Sequence, residues 1–272
     1  MGIITALFKG IDTTMNKSLM GNASAIEHSL YRIVFVTPVL LIAALLHWHM
    51  SIEASWWLLL YGLLEAANIL LHQMAIKSIN VVHAEILSKS KSLMTYIVSL
   101  FLVIEAVSLK GSLGVLVFTI GMLITIDFKE FNWKQFSSFS GYICEIVSVL
   151  ARTIKPFVLY RLLSDGIVSN ETLAFISMPI AFIVIWLAFR PKLKFAQINL
   201  KQYILQAIIV GLSMLASGYA VLYAGAVLTA MTENLSIFVV GFISYIMYKN
   251  KFSKRIWFGG IIAVIGVILT SI

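Results

Sequence analysis

Val81-Val82-His83-Ala84-Glu85-Ile86-Leu87-Ser88-Lys89-Ser90-Lys91-Ser92-Leu93-Met94-Thr95-Tyr96 is the stretch whose reading decides the fold. Taken alone it could open a soluble amphipathic helix. Its surroundings argue otherwise. It runs without a break into Ile97-Val98-Ser99-Leu100-Phe101-Leu102-Val103-Ile104, and an apolar run containing Glu65 precedes it. Charged side chains at the head of such a run are costly in hydrocarbon and require partners or a function.

The rest of the chain has the same character. Of 272 residues, 60% are hydrophobic and 12% charged, against about 25% charged in an ordinary soluble domain. The apolar residues gather in runs of roughly 17–22, the length that crosses a bilayer core of about 30 Å. Their period is helical, without the alternation of strands. The sequence therefore predicts an all-α integral membrane protein. A soluble core is excluded because nothing could cover so much apolar surface. The single cysteine, Cys144, excludes an internal disulfide and a Cys-rich metal site. The N-terminus lacks a basic n-region and a small-residue cleavage site, so no cleaved signal is expected. The net charge of +8 sits mostly in short loops beside apolar runs, which is the positive-inside pattern and not a nucleic-acid footprint.

Ten transmembrane helices are expected, at about 2–20, 28–47, 55–76, 81–104, 112–126, 138–159, 171–189, 202–223, 226–248 and 256–272. Shifting the chain by 145 residues lays the third to fifth spans on the eighth to tenth without gaps. Ser99 then meets Ser244, Ser108 meets Ser253, Gly114 meets Gly259 and Gly121 meets Gly266. Five spans per half make this an inverted repeat, 1–137 and 138–272, with a central cavity between the halves near midplane. In the same frame Ser88 lies opposite Glu233 and Lys89 opposite Asn234.

Along nearly its whole length the sequence resembles the drug/metabolite transporter superfamily, EamA-like branch. The resemblance rests on Tyr31-Arg32-Ile33-Val34-Phe35, similar to the family's Arg-Phe start to the second span. It rests also on the short turn at residues 75–87, on Glu105, and on the places that repeat these in the second half, residues 220–227 and Lys249-Asn250-Lys251-Phe252-Ser253. It implies ten helices around a central cavity and leaves the substrate open. Two departures stand out. Where relatives often have Glu/Gln-Pro in the fourth and ninth spans, this chain has Lys91-Ser92 and Ser236-Ile237, and the Glu of the second half is Asn250. Lys91 is thus the residue expected to set its substrate apart.

Orientation follows from the basic residues. The odd-numbered loops hold twelve Lys and Arg, from Lys17 to Arg255, and the even-numbered loops hold two, Lys110 and Arg161. The count places both termini outside a bacterial inner or plasma membrane, whereas ten-span relatives usually have both inside.

Within the spans lie the cations Lys9, Arg32, Lys89, Lys91, Arg152 and Lys155 and the acids Asp12, Glu65, Glu85, Glu145 and Glu233. Each costs about 2.5–3.5 kcal/mol at the bilayer centre, so each should face protein or water. Helical spacing sorts them into stripes. Glu65, Asn68 and His72 share a face, as do Glu85, Lys89, Ser92 and Tyr96. So do Glu145, Ser148, Arg152 and Lys155, followed by Pro156 as a kink candidate. Lys9, Asp12, Thr13 and Asn16 form a fourth stripe, and Thr229, Glu233 and Ser236 a fifth; Tyr219 and Tyr223 stack near the end of span eight. One reading is a shared, water-accessible cavity. The other is structural pairing or snorkelling to an interface, with Lys9 and Arg32 as the snorkelling candidates. Asp12 could neutralise Lys9 or Lys17. His72 and His83 are either titrating groups or buried hydrogen-bonded ones. Scattered Met and Trp read as packing or lipid-facing, and the two glycine pairs as close-packing seams.

Lys89, Lys91, Arg152 and Lys155 balance Glu65, Glu85, Glu145 and Glu233 in number. Such a set suits an anion or zwitterion and not a lipophilic cation, which needs acid and aromatics without nearby lysine. The expected substrate-binding residues are these four cations with Glu85, Asn68, His72, Tyr96, Tyr219 and Asn234. Arg152, with its planar fork, is the expected oxyanion clamp. Glu233, with no cation on its own stripe, leads the proton-coupling candidates, followed by Glu145 and Glu65. No metal or cofactor is expected, and no H-E-x-x-H, G-x-S-x-G or Walker sequence points to an enzyme. The function expected is secondary transport of a small polar charged metabolite by alternating access. The alternatives are a lipid-linked-sugar or lipid-phosphate translocase on the same fold, or a non-transporting receptor or assembly subunit. The expected partners are the solute and the bilayer, with the protein a monomer or homodimer.

Overall fold

The computed structural model describes the chain apart from residues 21–22, 52, 54, 80–86, 103–107, 126–138, 196–197, 241, 243–253 and 272. Glu85, His83, Glu105 and Asn250 therefore lie outside the described residues.

Among the described residues the structure is all helical: α1 (Gly2–Met20), α2 (Ala25–Leu46), α3 (Ser55–Ser78), α4 (Lys91–Leu102), α5 (Leu109–Thr125), α6 (Phe139–Ser164), α7 (Asn170–Phe189), α8 (Leu200–Asn234) and α9 (Lys254–Ser271). Local chemistry sets several starts. Ser24 and Glu27 exchange side-chain bonds at the head of α2, each accepting from the other's backbone N–H at 3.1 and 2.9 Å. Ser169 caps α7 and Asn199 caps α8. Such caps satisfy amide donors that no preceding turn can reach.

The helix α8 is bent. The expected gap between the eighth and ninth spans is a single residue, Gly225, at φ 82 and ψ 170. That conformation is open to glycine and strained for side-chain-bearing residues. Helical turns continue beyond it to Val240, so α8 has a long first arm, 200–224, and a shorter second arm. Pro156, the expected kink, sits inside α6 without ending it.

Among the described residues, five helical stretches have the length and apolarity to cross a membrane: α2, α3, α7, α9 and the run Leu200–Val240. The helices α1 and α6, 19 and 26 residues long, are long enough too. Their charged stripes lower their average apolarity, and those stripes face inward.

The helices pair closely. α2 packs on α7, α3 on α6 and α7, α1 on α8, and α5 on α9. The main core lies between α2, α3, α7 and the first arm of α8, around Leu30, Ile33, Leu40, Met178 and Ile185. On α5 and α9 the glycines at one-heptad spacing face each other. A Cβ on Gly266 would come 2.4 Å from Phe118 N, and one on Gly121 would come 2.5 Å from Ala263 N. The seam expected from Gly114, Gly121, Gly259 and Gly266 is this backbone-to-backbone contact. The outer faces are apolar, with Trp56, Phe101, Trp257 and Phe258 exposed, as lipid contact requires.

Candidate functional site

The stripes converge on a cavity of about 810 Å³. Helical geometry explains the convergence: residues three, four and seven apart share a face, and each charged face turns away from the apolar exterior. Lys9, Asp12, Thr13 and Asn16 of α1 line the cavity, as do Glu65, Asn68 and His72 of α3. Lys89, Lys91, Arg152 and Lys155 line it too, with Thr229, Glu233 and Ser236 from the second arm of α8.

The charges are paired across helices. Glu233 is the most heavily engaged: Lys91 Nζ donates to its Oε2 at 2.6 Å and Lys9 Nζ to the same oxygen at 3.0 Å. Ser217 Oγ donates to its Oε1 at 2.6 Å, so this bond crosses the Gly225 bend. Lys155 donates to Glu65 and lies 5.0 Å from the centre of the Tyr61 ring. Glu145 is fully buried behind the wall, between Arg152 and His72, whose Nδ1 is 2.9 Å away. Arg32 donates to Asp12 Oδ2 at 2.5 Å, and Gln206 to Oδ1 at 2.9 Å.

Several expectations change. Lys9 and Arg32 do not snorkel outward; both point into the cavity and hold acids there. Asp12 pairs with Arg32, while Lys9 pairs with Glu233. Glu233, which has no cation on its own stripe, receives two from other helices. The Arg152 fork, expected as an oxyanion clamp, lines the cavity and already donates to Glu145, to Ser88 Oγ at 3.0 Å and to the Ser148 carbonyl at 3.4 Å, three of its five N–H donors.

Three expected binding residues are not in the cavity wall. Tyr219 donates to Glu171 at 2.5 Å and stacks on Tyr223 with ring centres 6.3 Å apart. Ser217 faces the cavity, and two residues further along a helix is about 200° around it, which turns Tyr219 away. Tyr96 is bonded to Ser112 of α5 at 2.6 Å. Asn234 donates to the Lys89 carbonyl and to Ser92 Oγ, both at 3.2 Å, and so ties the fourth segment to the second arm of α8.

The structure adds Tyr61, Ser213 and Ser217 to the wall, and Gln206 as a ligand of Asp12. The same spacing rule could have found these. Gln206, Ser213 and Ser217 fall at i, i+7 and i+11, and Tyr61 lies one turn before Glu65. For the roles of Lys9 and Arg32 no local signal exists, because Lys9 meets an acid 224 positions away.

The model of the EamA-like transporter family matches residues 1–126. No curated protein matches the chain. A solved crystal structure is similar over 99% of this chain and 96% of its own, at 13% identity and a TM-score of 0.77, which shows a shared fold. Over residues 1–126, somewhat under half of its length, the chain is thus similar to the EamA-like transporter family, and the solved structure extends a shared helical fold over the whole chain.

Proposed function

We propose that the protein is a ten-helix secondary transporter that carries a small organic anion or zwitterion through its central cavity by alternating access. One observation carries this reading: while Arg32–Asp12 and Arg152–Glu145 each lie within one half of the chain, the other contacts between charged groups around the cavity run between the two halves. Lys9 and Lys91 of the first half hold Glu233 of the second. Glu65 and His72 of the first meet Lys155 and Glu145 of the second, and Asp12 meets Gln206. A site at the interface of two repeats, built from pairs that can break and re-form, suits a carrier that rocks one half against the other.

The packing supports the inverted repeat. α2 and α7 are counterparts under the five-helix shift and pack on each other, as do α5 and α9. Exchanging the halves turns the contact of α3 with α6 into that of the first arm of α8 with α1, which Asp12 and Gln206 make. Ten crossings result if the two arms of α8 count as separate spans and α1, α4, α5 and α6 also cross.

The test is flux. Purified protein in liposomes should take up at least one radiolabelled solute from a panel of organic acids, amino acids and phosphorylated metabolites. Lys91→Gln, which removes a cation from the wall, should reduce that flux by tenfold or more, as about 1.4 kcal/mol of lost binding would. Absence of flux for every panel member would overturn the transporter reading.

A further inference from the structure

The charges around the cavity do not cancel. Arg32 has Asp12, Arg152 has Glu145 and Lys155 has Glu65, but Lys9 and Lys91 share Glu233. Five cations meet four carboxylates. His72, the second partner of Glu145, adds a charge only when protonated. Lys89 also lines the cavity, has an interaction outside these ion pairs, and is not counted among them. Among these ion pairs of the described residues the surplus is one positive charge, located where two ammonium groups meet one carboxylate oxygen.

We infer that Lys9 is the cation that receives the substrate's acid group, and that the substrate is an organic monoanion. This rests on the transporter reading above and narrows its substrate class. The two lysines are not equivalent. Lys91 is 2.6 Å from Glu233 with 7% of its side chain exposed; Lys9 is 3.0 Å away with 34% exposed and lines the cavity. Lys9 is therefore the looser partner, and its flexible four-carbon stem lets the ammonium turn from one oxyanion to another. When Lys9 turns to a bound anion, Lys91 and Glu233 remain as a neutral pair, and the site carries no net charge. A zwitterion leaves the surplus in place, and its ammonium finds each of these carboxylates engaged. A dianion leaves a net negative charge. An uncompensated charge beside the nearly buried Lys91 and Glu233 is costly, so the monoanion is the substrate that the wall fits.

The test compares ligands that differ in charge on a fixed skeleton, read as the rise in melting temperature of the purified full-length protein. One series is gluconate, glucarate, glucose and glucosaminic acid: monoanion, dianion, neutral and zwitterion. The second is pentanoate, glutarate, pentanamide and 5-aminopentanoate. The expected result is a rise with the monoanion of at least one series that exceeds the rise with its three companions. Lys9→Gln should abolish that rise without lowering the melting temperature of the unliganded protein, because it removes the unbalanced charge. Glu233→Gln raises the surplus from one to two and should move the preference to the dianion. The inference is overturned if neither monoanion raises the melting temperature, if the zwitterion matches the monoanion, or if Lys9→Gln keeps the rise. Should either variant fail to fold, the charge series on the unaltered protein decides. Liposome flux separates this inference from the one it rests on: flux without charge selectivity overturns the monoanion and leaves the transporter, while charge-selective binding without any flux does the reverse.

Discussion

At the scale of single residues, the polar groups of this protein divide by what replacing them would leave behind. Glu145 is fully buried between Arg152 and His72. Glu145→Gln strands a guanidinium that is itself nearly buried, and breaking such a pair costs about 3 kcal/mol or more. The melting temperature of the purified protein should fall clearly. Arg161 and Asp165 form an i, i+4 pair at the exposed end of α6, with side chains 67% and 42% exposed. Arg161→Ala should cost under about 1 kcal/mol, since water screens such pairs. Equal losses from the two replacements would contradict this division. That Glu145, Arg152 and Lys155 share a face was legible from their spacing. That Arg152 holds Glu145 was not, because spacing places groups on a face and says nothing of which partner occupies a donor.

At the scale of elements, two glycine environments make opposite demands. Gly266 lets α9 lie backbone to backbone against α5; a methyl group there would meet main-chain atoms of Phe118. Gly266→Ala should therefore cost about 1–3 kcal/mol, the usual penalty of overpacking. Gly225 is constrained by its dihedral angles. With φ at 82, Gly225→Ala places a side chain in a region that costs on the order of 1–3 kcal/mol. Gly111 is the control: an added Cβ there would approach nothing closer than Ser108 Oγ at 3.2 Å, so Gly111→Ala should not lower the melting temperature. Thermal melts of the three variants in one detergent check the order. The seam was readable in the sequence, because glycines seven apart in matching spans point to close contact. The bend was not assigned to Gly225, since a bend and a chain reversal leave the same short apolar gap.

For the whole molecule, the ten-span reading makes a topological prediction. An even number of crossings puts both ends on one face of the membrane. Reporter fusions at residues 1 and 272 should give the same compartment, and opposite compartments would refute ten crossings. The same measurement decides between the two orientations raised by the loop charges. The helices themselves, their order and most of their limits were legible, because apolar runs of membrane length leave little freedom: backbone hydrogen bonds must close within each segment.

The sequence by itself determined that this chain is an all-helical membrane protein with polar stripes on several helices and a glycine seam. Composition, period and spacing are local properties, and they suffice for that. Only the tertiary structure decided which acid each cation meets, that Lys9 and Lys91 share Glu233, and that Tyr96, Tyr219 and Asn234 turn away from the cavity. Those facts depend on how far each helix is rotated and raised against neighbours distant in the chain. A rotation of one residue, about 100°, exchanges a residue in the wall for one outside it.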